Sequence, residues 1–346
     1  MPARLTHASY SKAVFPSQVQ AASENRFARL WQLGAALVGL GLLAVMLRSV
    51  GIDDVRRGVS SIGFWFVAVF ALGGLRFAAR ARGWMACAED EPGALRFTDA
   101  FSAVLSADAL GNLTPLGLLA SEPAKVLLVR RRLSTAAGIS SVAADNVFYT
   151  LSVIAVIGAG TLLFMRRAAV PPQVRLAAEV VFAASIVALV GVIWAARRKP
   201  AVLSRLATLA NRIGRLRHLP AARLIEIEQR FYALLAWPAS RLARIAGWQA
   251  LFHAAAIAEV YLVLRALPGG AAVTLTDAFL LESAGRLIVV VFKFIPYRLG
   301  VDEAGSALVA RQLGLDPTVG VTLALVRKIR ILGWNAIGVA LFARRR

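Results

Sequence analysis

The sequence holds 346 residues, of which 58% are hydrophobic, at a mean hydropathy of +0.66. That composition excludes an ordinary soluble domain and points to a polytopic membrane protein. The net charge of +21 could suggest nucleic acid. Lys and Arg, however, gather in alternate loops between the apolar runs, which is the positive-inside signature, so no nucleic-acid partner is expected.

Residues 1–29 are polar and mildly basic and lack the ordered regions of a signal peptide, so they read as a cytoplasmic tail ahead of a retained helix. Residues 30–346 read as a single membrane domain. Leu30–Leu47 is the first span, and Asp53-Asp54-Val55-Arg56-Arg57 makes a short outer connection. Ile62–Ala81 is the second span, with Arg76, Arg80 and Arg82 expected to snorkel to the inner interface. Phe97–Ala109 and Glu122–Val129 fall short of the roughly 20 residues a span requires. The helix-breaking stretch between them, with Pro115 and Gly117, joins them as a re-entrant hairpin. Ile139–Phe164 and Leu176–Ala196 span next. Residues 200–238 form a basic amphipathic cytoplasmic segment. Ala243–Leu267 spans again, Ala278–Phe294 with Glu303–Leu313 makes a second hairpin, and Val319–Phe342 is the last span. Trp31, Trp65, Trp194 and Trp334 fall near span ends, as interfacial belts require.

The two hairpins repeat one another. Glu122 follows Pro115 by the same interval as Glu303 follows Pro296, and Arg130 and Arg311 follow those acids alike. Thr98-Asp99-Ala100-Phe101 returns as Thr276-Asp277-Ala278-Phe279. The period marks an internal repeat, A over about 62–164 and B over about 243–342. An odd number of crossings separates the hairpins, so the halves are expected to be inverted in the membrane, as in secondary transporters. The fold expected is all-α: about six transmembrane helices plus two re-entrant hairpins in an inverted repeat.

Charges inside the membrane are costly and mark function or pairing. Glu122 and Lys125 share a helical face, with Ser121 as an N-cap. Arg298 is the expected partner of Asp302 and Glu303, and Glu282 with Arg286 should form an intrahelical pair. Asp145 and Arg327 occupy equivalent repeat positions with opposite charge and are expected to pair across the two halves. His253 and Glu259 read as weaker cases, His253 as a packed polar contact. These groups could merely stitch broken helices together, but they exceed what two caps require, which favours a polar path. Cys87 is the one cysteine and there are three histidines, so neither a disulfide nor a metal or cofactor site is expected, and no nucleophile–base set argues for an enzyme.

Asn112-Leu113-Thr114-Pro115 through Glu122-Pro123-Ala124-Lys125, the Asp145 span, Leu299-Gly300-Val301-Asp302-Glu303 and the Arg327 span together resemble the flippase-like membrane region of lysylphosphatidylglycerol synthases, the multiple peptide resistance factor family. The family tends to have a glycine pair after each hairpin proline, where this chain has Leu116-Gly117 and Tyr297-Arg298. The resemblance implies a lipid translocase of the bacterial inner membrane with both termini cytoplasmic. It does not imply aminoacylation, since no synthase domain follows in this sequence. An anionic lipid headgroup is the substrate expected; Lys125, Arg130, Arg298 and Arg327 would contact it. Glu122, Asp145 and Glu303 would hold those bases, with Asn112, Thr114 and Asp302 in the same site. A second copy of the chain, or a lipid-modifying enzyme, is the protein partner expected. The alternatives are a non-transporting scaffold for a lipid- or glycan-modifying enzyme and a coupled solute transporter.

Overall fold

The computed structural model describes residues 60–344 apart from 61, 92, 94, 114–116, 167–171, 199–228, 230–236, 268–271, 293–297 and 299. The span read at 30–47 and nearly all of the amphipathic segment read at 200–238 lie outside the described residues. Every described element is an α-helix: α1 Trp65–Cys87, α2 Phe97–Leu113, α3 Gly117–Leu128, α4 Thr135–Arg166, α5 Pro172–Arg198, α6 Ala239–Ala266, α7 Leu275–Val291, α8 Val301–Gln312 and α9 Pro317–Arg344. Three of these are long and apolar enough to cross a bilayer, Thr135–Arg166, Pro172–Gly191 and Ala239–Ala266. Helices α1 and α9 instead carry clustered cations mid-helix, Arg76, Arg80 and Arg82 on one and Arg327, Lys328 and Arg330 on the other.

Local chemistry sets where the helices begin. The Ser134 hydroxyl accepts from the Ala137 N–H (3.2 Å) and starts α4 straight after the basic Arg130-Arg131-Arg132 turn. Thr274 and Asp277 form a capping box at the head of α7. Asp316 accepts from the Thr318 N–H (2.8 Å) with Pro317 at the first helical position, the residue order that favours an N-terminus. The Thr318 hydroxyl and amide hold this exposed carboxyl below the usual aspartate range. Ser121, read above as a cap, lies inside α3, because the helix begins at Gly117 and continues through Pro123.

Hairpin α2–α3 and hairpin α7–α8 stand on two separate apolar clusters. Ala81, Trp84, Ala100, Val104, Val129 and Leu133 hold the base of the first hairpin against the C-terminal end of α1. Ile62, Val69, Val273, Ala278, Ala310 and Val326 hold the base of the second against the N-terminal end of α1. Val69 and Ala81 are separated by roughly 18 Å of helical rise. The hairpin bases therefore lie at opposite ends of α1. Helices α1 and α6 pack most extensively against each other, and the other contacts come in matched pairs: α2 on α9 and α7 on α4, α1 on α2 and α6 on α7. Helix α5 packs on α4 alone among these, its apolar residues Leu176, Val180, Val187 and Val190 exposed as a lipid-facing surface requires.

Small residues let the hairpins approach the long helices. The Ser106 hydroxyl donates to the Gly338 carbonyl (3.0 Å) where α2 crosses α9, and the Ser283 hydroxyl donates to the Val156 carbonyl (3.2 Å) where α7 crosses α4. A Cβ on Gly338 would lie 2.6 Å from the Leu105 carbonyl oxygen, and one on Gly160 would lie 1.9 Å from the Ser283 hydroxyl. This is the close packing that small residues provide in membrane helices. Gly338→Val is therefore expected to destabilise by about 1–3 kcal/mol through overpacking, read as a fall in melting temperature in detergent. A variant melting with the wild type would show that the crossing opens freely.

Trp334 departs from the belt reading. Its ring stacks on Phe70 (4.8 Å between centroids) beside Phe77 and Phe101, and its Nε1 donates to the Phe70 carbonyl at 3.0 Å. Trp65 and Trp194 are exposed at helix ends as expected, and Trp31 lies outside the described residues.

Candidate functional site

Between the hairpins lies a cavity of about 720 Å³, lined by residues of α1, α2, α3, α4, α6, α7, α8 and α9. Both hairpins supply lining, Asp108, Asn112, Glu122 and Lys125 from one side and Arg286, Val290, Arg298 and Asp302 from the other. The size suits a small polar ligand or headgroup.

The charges around it form a layered set. Arg80 of α1 pairs with Asp145 of α4 (2.8 Å). Arg330 of α9 pairs with Glu259 of α6 (2.9 Å). Matched helix pairs are thus clipped by ion pairs of reversed polarity. Arg76 of α1 reaches across to the same Glu259 (3.0 Å), whose side chain is fully buried. Glu282 is held by Arg286 one turn along α7 (2.7 Å) and by Arg327 of α9. Lys328 pairs with Glu303, which also accepts the Gly300 N–H (2.9 Å) and so caps α8. Arg298, at a left-handed φ of 50°, pairs with Asp302 (3.2 Å). Lys125 pairs with Glu122 (3.0 Å). The Phe252 ring lies 4.9 Å from both the Arg76 and the Arg286 guanidinium, and Arg80 stands 4.1 Å from the Tyr149 ring. Aromatic faces thus offset part of the desolvation of these cations.

Front and back of this set differ in sign. Arg76, Arg80, Lys125, Arg286, Arg298, Arg327, Lys328 and Arg330 all line the cavity, against the carboxylates Asp108, Glu122, Glu282 and Asp302. Asp145, Glu259 and Glu303 stand behind the wall and hold cations that face forward. The whole cluster is close to neutral, which keeps burial affordable. The lining itself carries a positive excess. Such a surface attracts an anion with several oxygen acceptors, for which guanidinium groups are well shaped.

Of the residues singled out from sequence, Asn112, Glu122, Lys125, Arg298, Asp302 and Arg327 come together at this cavity. Asp145 and Glu303 lie one layer behind. Thr114 falls outside the described residues. Arg130 does not join them: α3 ends at Leu128, and Arg130 is exposed on the following turn. The pairing of Asp145 with Arg327 is also not formed, since Arg80 takes the one and Glu282 the other. Arg76 and Arg80 do not snorkel; both are held in ion pairs with little exposure, and only Arg82 is exposed, over the Phe97 ring (4.6 Å). His253 behaves as a packed polar contact, with its Nε2 2.9 Å from the Ser152 hydroxyl. Sequence reading passed over Asp108, Lys328 and Arg330 and underrated Glu259. The available signal was a cation or acid inside an apolar run, which Lys328 and Arg330 show as plainly as Arg327 does.

The family model described as the lysylphosphatidylglycerol synthase TM region matches residues 31–337. The chain belongs to that family. The matched residues take in α1 through α8 whole and most of α9, so the cavity lies entirely within the family's region. Membership and the apolar helices together make this lysylphosphatidylglycerol synthase TM-region protein an integral membrane protein. No curated protein and no solved structure matches the chain.

Proposed function

We propose that this protein is a lipid translocase, not an enzyme, that moves a lipid with an anionic headgroup between the leaflets of the bacterial inner membrane. The carrying observation is the cavity whose cations face forward and whose compensating acids stand behind. The headgroup would travel through the cavity while the acyl chains stay in the bilayer. Val290, on the cavity wall and 55% exposed, gives the rim an apolar, outward-facing edge that suits lateral passage of chains. Hairpin bases at opposite ends of α1, with tip-ward residues meeting at the cavity, support the reading of two re-entrant hairpins in an inverted repeat of residues 62–164 and 243–342. Alternating access then comes from rocking of one repeat against the other. Lys/Arg asymmetry supports cytoplasmic termini. An interior of fully neutralised pairs without a cavity would instead have suited a scaffold.

The test is leaflet exchange in proteoliposomes, with labelled anionic and zwitterionic phospholipids compared. Exchange of the anionic lipid should exceed that in protein-free vesicles. Arg327→Gln should slow it roughly tenfold, the loss of one charged hydrogen bond worth about 1.5–3 kcal/mol. Glu282 keeps Arg286 in that variant, so folding should hold. Exchange equal to protein-free vesicles for every headgroup would overturn the proposal.

A further inference from the structure

One carboxylate on the cavity wall differs from the rest. Glu122, Glu282 and Asp302 each hold a cation. Asp108 has, among the described residues, one hydrogen-bond donor, the Asn112 amide at 2.9 Å, and no ion pair. It sits on α2 one helical turn before Asn112, so the bond is the ordinary i,i+4 contact of a helix face. Asn112 also reaches Asn335 on α9 (3.5 Å), which ties this acid to the opposite half of the molecule. The charged groups that face Asp108 come from each element around it: Arg76 on α1, Lys125 with Glu122 on α3, Arg330 on α9 and Arg298 at the head of α8.

We propose that Asp108 is a proton-binding site coupled to the anion site, so that an anionic phosphodiester headgroup and one proton occupy the cavity together. This rests on the headgroup reading above and supplies its energy source. In the empty cavity, burial works against a charge on Asp108 and the field of the facing cations works for it. A phosphodiester that engages those cations neutralises that field and adds a like charge beside Asp108. Both changes favour the protonated acid. Linkage is reciprocal, so a proton on Asp108 strengthens anion binding by the same factor. The proton comes from water and returns to it, and no bond other than O–H is made or broken. A monoanionic headgroup moving with one proton carries no net charge across the membrane, so a pH gradient can drive the lipid without opposition from the membrane potential.

The test uses the whole purified protein in detergent with dihexanoylphosphatidylglycerol as the probe. Titration calorimetry in two buffers of different ionisation enthalpy reads protons taken up per lipid bound. The wild type should take up a proton fraction approaching one, and its affinity should fall as pH rises across the range in which Asp108 titrates, by up to tenfold per pH unit. Asp108→Asn should bind without proton uptake and without that pH dependence. Asn112→Ala keeps the acid and removes the donor that favours its ionised form, so it should retain uptake and move the pH midpoint upward. Lipid binding with equal proton uptake in wild type and Asp108→Asn, or an unmoved midpoint in Asn112→Ala, would overturn the coupling and leave the headgroup reading standing. No binding of this probe or of any anionic lipid to the wild type would overturn both.

Discussion

Glu259→Gln is expected to be among the most damaging single changes in the molecule. Glu259 lies on α6 with no exposed surface, and its two oxygens serve Arg76 on α1 (3.0 Å) and Arg330 on α9 (2.9 Å). One carboxylate therefore compensates two buried guanidinium groups from two other helices. Glutamine keeps the shape and removes the charge, which leaves both cations facing each other. Breaking a buried pair costs about 3–5 kcal/mol because the orphaned partner stays desolvated, and here two partners are orphaned. In detergent the melting temperature should fall by something of the order of 10 °C, or folded protein should not be recovered. Arg175→Gln is the control: its pair with Glu179 is 66% and 52% exposed, and such pairs contribute about 0–1 kcal/mol. A Glu259→Gln protein melting within a degree or two of the control would show that water reaches this site and that the ion pairs are not structural.

The pattern of what could be read from the sequence follows from helix geometry. Glu122 with Lys125 and Glu282 with Arg286 were legible because spacings of three and four residues fix a shared face whatever the tertiary structure. Helices α4, α5 and α6 were legible from long apolar runs, and α2, α3, α7 and α8 from shorter ones. The Arg76–Glu259 pair was not, because its partners are 183 residues apart and meet only through the crossing of α1 and α6. Matching positions in the sequence says nothing of direction around a helix. Successive residues of α9 turn by about 100°. Arg327 accordingly faces Glu282 on α7, Lys328 faces Glu303 on α8, and Arg330 faces Glu259 on α6. Equal depth alone made Arg327 look like the partner of Asp145. Trp334 failed for a related reason: nearness to a span end says nothing of which face a ring occupies, and its face is turned to Phe70.

Asp145 and Arg80 offer the second large effect, and one that separates the observed pairing from the symmetric one. Asp145 on α4 and Arg80 on α1 meet at 2.8 Å, with side chains 3% and 11% exposed. Asp145→Asn should leave Arg80 buried without its anion, and Arg80→Gln should leave Asp145 buried without its cation, each at a cost of about 3–5 kcal/mol. The double variant leaves neither, so its loss should fall short of the summed losses, with a coupling of about 1–3 kcal/mol. Arg80 also stacks on Tyr149 (4.1 Å), and that contact disappears in both Arg80→Gln and the double variant. It therefore cancels in the cycle and cannot imitate the ion pair. The cycle between Asp145→Asn and Arg327→Gln is the discriminating comparison. Arg327 has its own partner in Glu282 and none in common with Asp145 among the described residues, so those losses should add to within about 0.5 kcal/mol. Melting temperatures in detergent measure both cycles. Additive losses for Asp145 with Arg80, together with coupled losses for Asp145 with Arg327, would reverse the assignment and place the ion pair between α4 and α9 instead of between α4 and α1.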